Sequence, residues 1–154
     1  MSTNQDLPPL QDHAFVAAFL NLVIPPGADG RMPGAGDLDL ASTLAKALED
    51  DAMLGPLALA GLQAVHDAAL ARDPGGLPAL PAASGLEVVE AISGTHPMLM
   101  IGIARHLYPA YYQHPRVLEG IGEPPRPPFP EGYEVEPTDP GLLAKLRSRG
   151  HAVP

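Results

Sequence analysis

Six histidines are the residues of this 154-residue chain best suited to chemistry, because imidazole binds metals and transfers protons near neutral pH. No two of them have the H-x-x-x-H or H-E-x-x-H spacing that places two ligands on one helical face. His66 and Asp67 are adjacent, and neighbouring side chains of a helix point about 100° apart. His106, near a predicted helix end, is explained by the helix dipole and a backbone carbonyl. We therefore expect no metal site among the histidines, which are His13, His66, His96, His106, His114 and His151.

The other reactive residue types predict no catalytic site either. There is no cysteine, and no serine lies in a G-x-S-x-G elbow. Ser84 and Glu87 instead match a helix capping box, and the acidic residues 49–51 are typical of a solvated helix end. The glycine-rich loop 27–36 lacks the preceding strand and the Lys-Ser/Thr pair of a phosphate-binding loop. We expect this chain to contain no catalytic and no cofactor-binding residue. The prediction is therefore that it is not an enzyme on its own.

The charge of the chain excludes two classes of partner. Nine Lys and Arg residues against 18 Asp and Glu give a net charge of −9, without the basic stripe that binds nucleic acid or anionic lipid. No apolar run approaches the roughly 20 residues of a membrane span. Residues 1–11 lack the features of a secretory signal. These features favour a cytoplasmic protein, or a periplasmic one if the sequence is a mature form.

The elements that must position any site are helices, because apolar residues recur at helical spacing and no strand alternation is sustained. Residues 1–11 are predicted to be a flexible lead-in, and Asp12 to cap a first helix that ends before Pro25. Asp37 or Asp39 is predicted to start the second helix. Pro56 suits the first turn of the third, which ends at residues 73–76. The predicted buried positions of these three helices are Phe15, Val16, Phe19, Leu20, Val23, Leu40, Leu44, Leu48, Leu59, Leu62, Val65 and Ala69.

Two further helices precede a segment rich in proline. The Ser84 capping box predicts a short helix through Ile92. The most apolar helix is predicted from Met98 to Tyr108, at the centre of the bundle, with Tyr108 in the core. A last short helix follows Asp139. The prediction is an all-α fold with a helical domain at 12–112, an extended arm at 113–138, and a C-terminal helix and tail at 139–154.

The predicted arm is the segment most suited to contact another protein. Proline fixes φ and lacks an N–H donor, so a segment so rich in proline cannot form a helix interior or a central strand. Tyrosine is favoured at protein interfaces. Such an arm either wraps its own domain or lies across a partner. We expect it to lie on a partner, with an interface formed by Tyr111, Tyr112, Pro115, Phe129, Pro130 and Tyr133. A PxxP spacing at Pro125 and Pro128 leaves open a proline-binding groove as an alternative partner.

Two segments together resemble one protein family. The first is the sequence LVIPPGADGRMPGAG at residues 22–36, and the second is YYQHPRVLEGIGEPP at residues 111–125, continuing to PEGY at 130–133. In their order and separation they resemble the gluconate 2-dehydrogenase subunit 3 family. The resemblance implies a small subunit of a heteromeric, FAD-dependent dehydrogenase that oxidises sugars, sugar acids or related alcohols.

The resemblance also implies how the chemistry is divided. The large subunit, of the glucose-methanol-choline type, would hold FAD and the catalytic histidine, and the small subunit would fold, stabilise or export it. An electron-acceptor cytochrome is a further partner that the resemblance allows. Many members begin with a twin-arginine export signal, which this sequence lacks. The alternative from the residues alone is a stand-alone helical protein that binds a small ligand near His66, His96 or His106.

Overall fold

The computed structural model describes residues 8–126, 137 and 139–148, and every regular element within them is helical. This confirms the all-α prediction. The described part contains two short 3-10 turns, at Ala35–Asp37 and Leu77–Ala79, and eight α-helices. The helices are α1 (Pro8–Gln11), α2 (His13–Val23), α3 (Ala41–Asp50), α4 (Gly55–Arg72), α5 (Ala82–Thr95), α6 (Met98–Tyr112), α7 (Pro115–Ile121) and α8 (Pro140–Ser148).

The first long helix begins and ends where the sequence predicts. The backbone N–H of Phe15 donates to Asp12 Oδ1 at 3.0 Å, so Asp12 is the N-cap of α2. The helix ends at Val23 because Ile24, which precedes Pro25, is extended. Residues 8–11, predicted to belong to the flexible lead-in, form the helix α1.

Two predicted helix starts are wrong. Helix α3 begins at Ala41, because the carboxylate of Asp37 is held by Gly34 N and Asn21 Nδ2 and cannot cap it. Helix α5 begins at Ala82, so Ser84 lies inside it and Glu87 instead pairs with Arg72 at 3.2 Å. The predicted Pro56 start of α4 is confirmed. The predicted core stripes of α3 and α4 are buried.

Helix α6 lies at the centre of the bundle, as predicted, and contacts α3, α4, α5 and α7. It extends four residues beyond the predicted end, to Tyr112. Its buried positions recur every four residues, at Leu99, Ile103, Leu107 and Tyr111. Tyr108 is 44% exposed, so its predicted place in the core is wrong. The register set by Leu99 brings Tyr111 inward and turns Tyr108 outward.

Helices α4 and α6 approach closely through glycine. A Cβ added at Gly61 would lie 2.7 Å from the Cβ of Leu99, and one at Gly102 would lie 2.6 Å from the Cβ of Ala58. Real Cβ contacts are longer, so neither position accommodates even alanine without separating the helices. This tight packing fixes α6 on the bundle.

The first part of the predicted arm is a helix. Helix α7 begins at Pro115, whose missing N–H costs nothing at that position. The Arg116 N–H donates to His114 Nδ1 at 3.3 Å, and Gly122 ends the helix with φ of +86°. Val117 and Leu118 are buried, so the helix packs on the bundle. An extended arm from residue 113 is therefore wrong for residues 115–121.

None of the described helices combines the length and apolar character needed to cross a lipid bilayer.

Candidate partner interface

The two segments that carry the family resemblance lie together in the structure. The Tyr111 hydroxyl donates to the Pro33 carbonyl oxygen at 2.7 Å, and this bond is buried. It joins residues that are 78 positions apart in the chain. We call the surface formed by residues 27–37 and 111–122 the motif face.

The loop of the motif face has a fixed conformation because side chains bind its backbone. Asn21 of α2 accepts from the Gly36 N–H at 2.8 Å and donates to Asp37 Oδ1 at 3.1 Å. Asp37 also accepts from the Gly34 N–H at 3.0 Å. The Ala35 N–H donates to the Ile24 carbonyl oxygen at 2.9 Å. The glycines of this loop therefore do not leave it free to move.

Helix α7 is joined to this loop through two arginines. Arg31 Nη2 donates to the Gly120 carbonyl oxygen at 3.2 Å, and Arg116 Nη1 donates to the Asp37 carbonyl oxygen at 3.4 Å. A Cβ at Gly120 would lie 2.8 Å from the Arg31 carbonyl oxygen, so only glycine lets the two backbones approach this closely. Loop and helix therefore form one continuous surface.

The predicted interface residues divide into buried and exposed ones. Tyr111 is 1% exposed, so it supports the motif face from inside and is not available to a partner in this conformation. Burial, and secondarily the neighbouring Tyr112, raise the pKa of Tyr111 above its usual value. Tyr112 is 53% exposed, with its ring edge-on to Tyr111 at a centroid distance of 5.2 Å. Pro115 is exposed, and so is Ile121, which is not among the predicted interface residues.

The remaining predicted interface residues, Phe129, Pro130 and Tyr133, lie outside the described residues, as does Pro128 of the PxxP spacing.

A polar cluster away from the motif face connects the turn between α3 and α4 to α6. We call it the Asp51 junction, and it comprises Asp51, the backbone of Met53 and Leu54, and the side chains of Arg105 and His106. Asp51 Oδ1 accepts from the N–H groups of Met53 and Leu54 at 3.1 and 2.9 Å. Asp51 Oδ2 lies 2.9 Å from His106 Nε2 and 3.6 Å from Arg105 Nε. The backbone bond from Leu54, followed by the His106 bond, lowers the pKa of the Asp51 carboxyl.

The Asp51 junction corrects two sequence interpretations. The prediction of a solvated charge run at residues 49–51 is wrong for Asp51, whose side chain is only 13% exposed. His106, which the sequence predicts to contact a backbone carbonyl, contacts this carboxylate instead. The position of Asp51 could have indicated this role. It lies just before α4, which begins at Gly55-Pro56, and a side chain that accepts from the free N–H groups near a helix start is favoured there.

Two clefts of about 420 and 530 Å³ meet at the Asp51 junction. The smaller is lined mainly by α3 and α4, and the larger includes Asp50, Met53, Arg105 and His106. They have the size of small-ligand sites. Both oxygens of Asp51 are already hydrogen-bonded, however, so the carboxylate has little capacity left for a ligand.

The five histidines among residues 8–126 lie in or next to five different helices. His66 lies edge-on to Phe15, with Nε2 3.8 Å from Asp12 Oδ2 and Nδ1 3.5 Å from Asp67 Oδ1. That Nδ1 is buried and makes no hydrogen bond within the described part of the chain. Over the same residues, no three His, Cys, Asp or Glu side chains are grouped so that they could hold a metal ion.

Comparisons with protein-family models, curated proteins and solved structures return no match for this chain. The functional interpretation therefore rests on its two sequence motifs and on their geometry in the folded chain.

Proposed function

We propose that this chain is a non-catalytic small subunit that binds and stabilises a large FAD-dependent dehydrogenase through the motif face. The observation that carries the proposal is the buried bond between Tyr111 and Pro33. It joins the two segments that resemble the small-subunit family, although a long stretch of helical sequence separates them. Two segments that form one interface must be neighbours in the folded chain, and this bond makes them neighbours.

The motif face has the composition and rigidity of a docking surface. Tyr112, Pro115 and Ile121 are exposed apolar or aromatic side chains on it, and Arg31 and Arg116 supply polar contacts. Burial of Tyr112 or Ile121 in a complex would contribute about 1.5–3 kcal/mol each before ordering costs. Those costs are small here because hydrogen bonds already fix the loop and α7.

The identity of the partner follows from the family resemblance. The large subunit would be of the glucose-methanol-choline type, hold FAD and oxidise a sugar, a sugar acid or a related alcohol. A cytochrome would accept the electrons in some complexes. In this proposal the present chain contributes surface and stability, while flavin binding and catalysis belong to the partner.

The test is co-expression of the tagged chain with a candidate large subunit, a FAD-dependent dehydrogenase encoded beside it. We expect a stoichiometric yellow complex whose large subunit is insoluble when expressed alone. Tyr112→Ala combined with Ile121→Ser is expected to reduce the amount of co-purified flavoprotein. Leu86→Ala is the matched control, because Leu86 is an exposed apolar residue on α5, outside the motif face.

A colourless, folded monomer that ignores the flavoprotein would contradict the proposal. Equal loss of complex in the Leu86→Ala control would show that the motif face has no special part in binding.

One observation favours a second candidate function, a stand-alone protein that binds a small ligand. The two clefts at the Asp51 junction are large enough for one, and His106 lines the larger. This alternative predicts a monomer whose melting temperature rises with a ligand and falls back in a variant that fills the cleft, such as Ala52→Leu. A screen by thermal shift distinguishes it from the subunit function.

A further inference from the structure

A small cleft on the motif face combines two arginines. It has a volume of about 300 Å³ and is lined by Arg31, Pro33, Arg116, Glu119 and Gly120. The whole chain has nine Lys and Arg residues against 18 Asp and Glu, so two arginines on one small cleft are a local reversal of its charge.

Neither guanidinium has a carboxylate partner among the described residues. Each makes one hydrogen bond to a backbone carbonyl, Arg31 to Gly120 and Arg116 to Asp37. A guanidinium has five N–H donors, so most donors of both groups remain available. Guanidinium groups bind carboxylates and phosphates through parallel pairs of hydrogen bonds.

Among the described residues, no acidic side chain near the cleft forms an ion pair with either arginine. The Asp29 carboxylate accepts from the Arg31 backbone N–H at 3.1 Å, and the Asp37 carboxylate accepts from Asn21 and Gly34. Among the residues that the structure describes, Glu119 alone brings a negative charge to the cleft lining, and it forms no ion pair with either arginine. The three described charged side chains of the lining therefore carry a net charge of +1.

We propose that this cleft binds one carboxylate group, held between Arg31 and Arg116. A monoanion matches the net charge of the described lining, whereas a doubly charged phosphate would exceed it and be repelled about twice as strongly by Glu119. The volume is at the lower end for ligand pockets, which suits a small acid or a single acidic side chain. Because the Arg31–Gly120 bond and the close approach at Gly120 already fix the walls, binding requires little reordering.

The first experiment titrates the isolated chain with sodium propionate in a chloride-free buffer of low ionic strength. The readout is the ¹H–¹⁵N amide spectrum, and propionamide is the neutral isostere of the probe. We expect saturable shifts around Arg31, Arg116 and Gly120 with propionate and none with propionamide. Arg31→Gln and Arg116→Gln should each raise the dissociation constant of propionate about tenfold or more, while Arg116→Lys should retain part of the binding.

The control is Arg72→Gln, which removes an exposed arginine of α4 outside the cleft and should leave propionate binding unchanged. Circular dichroism of every variant checks that the fold is intact. No saturable shift with propionate would overturn the proposal. Equal binding of propionamide, or an equal effect of Arg72→Gln, would also overturn it.

A second experiment identifies the source of the carboxylate and is the only one that rests on the proposed function. Arg31→Gln and Arg116→Gln chains are co-purified with the candidate flavoprotein. Loss of the complex would assign the cleft to an acidic side chain of the partner. An intact complex, with propionate binding abolished, would assign it to a free organic acid. Because the first experiment uses the isolated chain, its outcome is independent of whether the flavoprotein is the partner.

Discussion

The Asp51 junction and the arginine cleft are both polar clusters on the bundle surface, but they differ in how far their hydrogen bonds are satisfied. At the junction, both carboxylate oxygens of Asp51 are engaged by two backbone N–H groups and by His106. In the cleft, Arg31 and Arg116 retain most of their donors. A satisfied cluster stabilises the fold, whereas a cluster with unused donors on a rigid surface is suited to a ligand. The comparison predicts that changes at the junction affect unfolding, and that changes at the cleft affect binding.

The largest effect is expected at Tyr111, whose hydroxyl binds Pro33 of the arginine cleft. Tyr111→Ala removes a fully buried ring and its bond to Pro33, and should lower the free energy of unfolding by about 3–5 kcal/mol. Tyr112→Ala, next to it but exposed, should change stability by about 0.5 kcal/mol or less. Urea unfolding followed by circular dichroism measures both. Equal destabilisation by the two substitutions would contradict the assignment of Tyr111 to the core.

Asp51→Asn tests the prediction that changes at the Asp51 junction affect unfolding. Its lowered pKa means that the folded state prefers the ionised carboxylate. This contribution to stability is present above the usual value of 3.8 and is lost as pH falls through 3.8 toward the folded pKa. We expect Asp51→Asn to lower the unfolding midpoint at pH 7 and to reduce the loss of stability between pH 5 and pH 3.

Asp50→Asn is the matched control for this prediction, because the Asp50 side chain is 70% exposed and pairs only with Lys46 four residues away. It should leave the acid dependence of stability nearly unchanged. An Asp51→Asn protein with the acid profile of the wild type would show that the junction is not a stabilising site.

Tyr111→Phe tests the hydroxyl alone and should cost about 1 kcal/mol, because the Pro33 carbonyl loses its buried donor. The pKa of Tyr111 is raised, so the unfolded chain ionises first, and stability should fall as pH rises above the usual value of 10.0. Tyr111→Phe should weaken this alkaline loss. Chemical unfolding at pH 9 and pH 11 measures it, and an unchanged alkaline profile would count against the burial of this hydroxyl.

The smallest effect on stability is expected at the arginine cleft. Arg116→Gln should change the free energy of unfolding by about 0.5 kcal/mol or less, because its side chain is exposed and its one bond is long. The same variant is expected to raise the dissociation constant of propionate about tenfold or more. If it instead unfolded as readily as Tyr111→Ala, the arginine would be structural and the contrast between the two clusters would disappear.

The sequence predicted the helices well where local signals agree with the tertiary packing. The Asp12 cap, the Pro56 start and the leucine stripes of α3 and α4 are examples, because capping and periodicity are local properties. Ser84 shows the limit of such signals: a capping box is only one of several starts that a sequence allows, and here Pro81 precedes the helix. The many prolines after Tyr112 led to a prediction of extended chain where α7 forms, although proline is favoured at the first position of a helix.

The site depended on long-range contacts that the sequence shows poorly. Helical spacing from Leu107 places Tyr111, not Tyr108, in the core, since Leu107 and Tyr111 are four positions apart. By contrast, no local pattern announces that Asp51 meets His106, 55 positions along the chain, or that Arg31 reaches Gly120, 89 positions along. These pairings follow from how α6 packs on α3 and α4 and how α7 packs on α6, which are properties of the whole bundle.

The bond between Tyr111 and Pro33 determines when the motif face can form during synthesis of the chain. The loop at Pro33 leaves the ribosome long before Tyr111, with α3, α4 and α5 between them. Contacts of such high sequence separation form only after the intervening segments have compacted. A nascent or truncated chain that ends before α6 therefore lacks the motif face altogether. A partner that recognises this surface would select completed, correctly folded copies and leave unfinished chains alone.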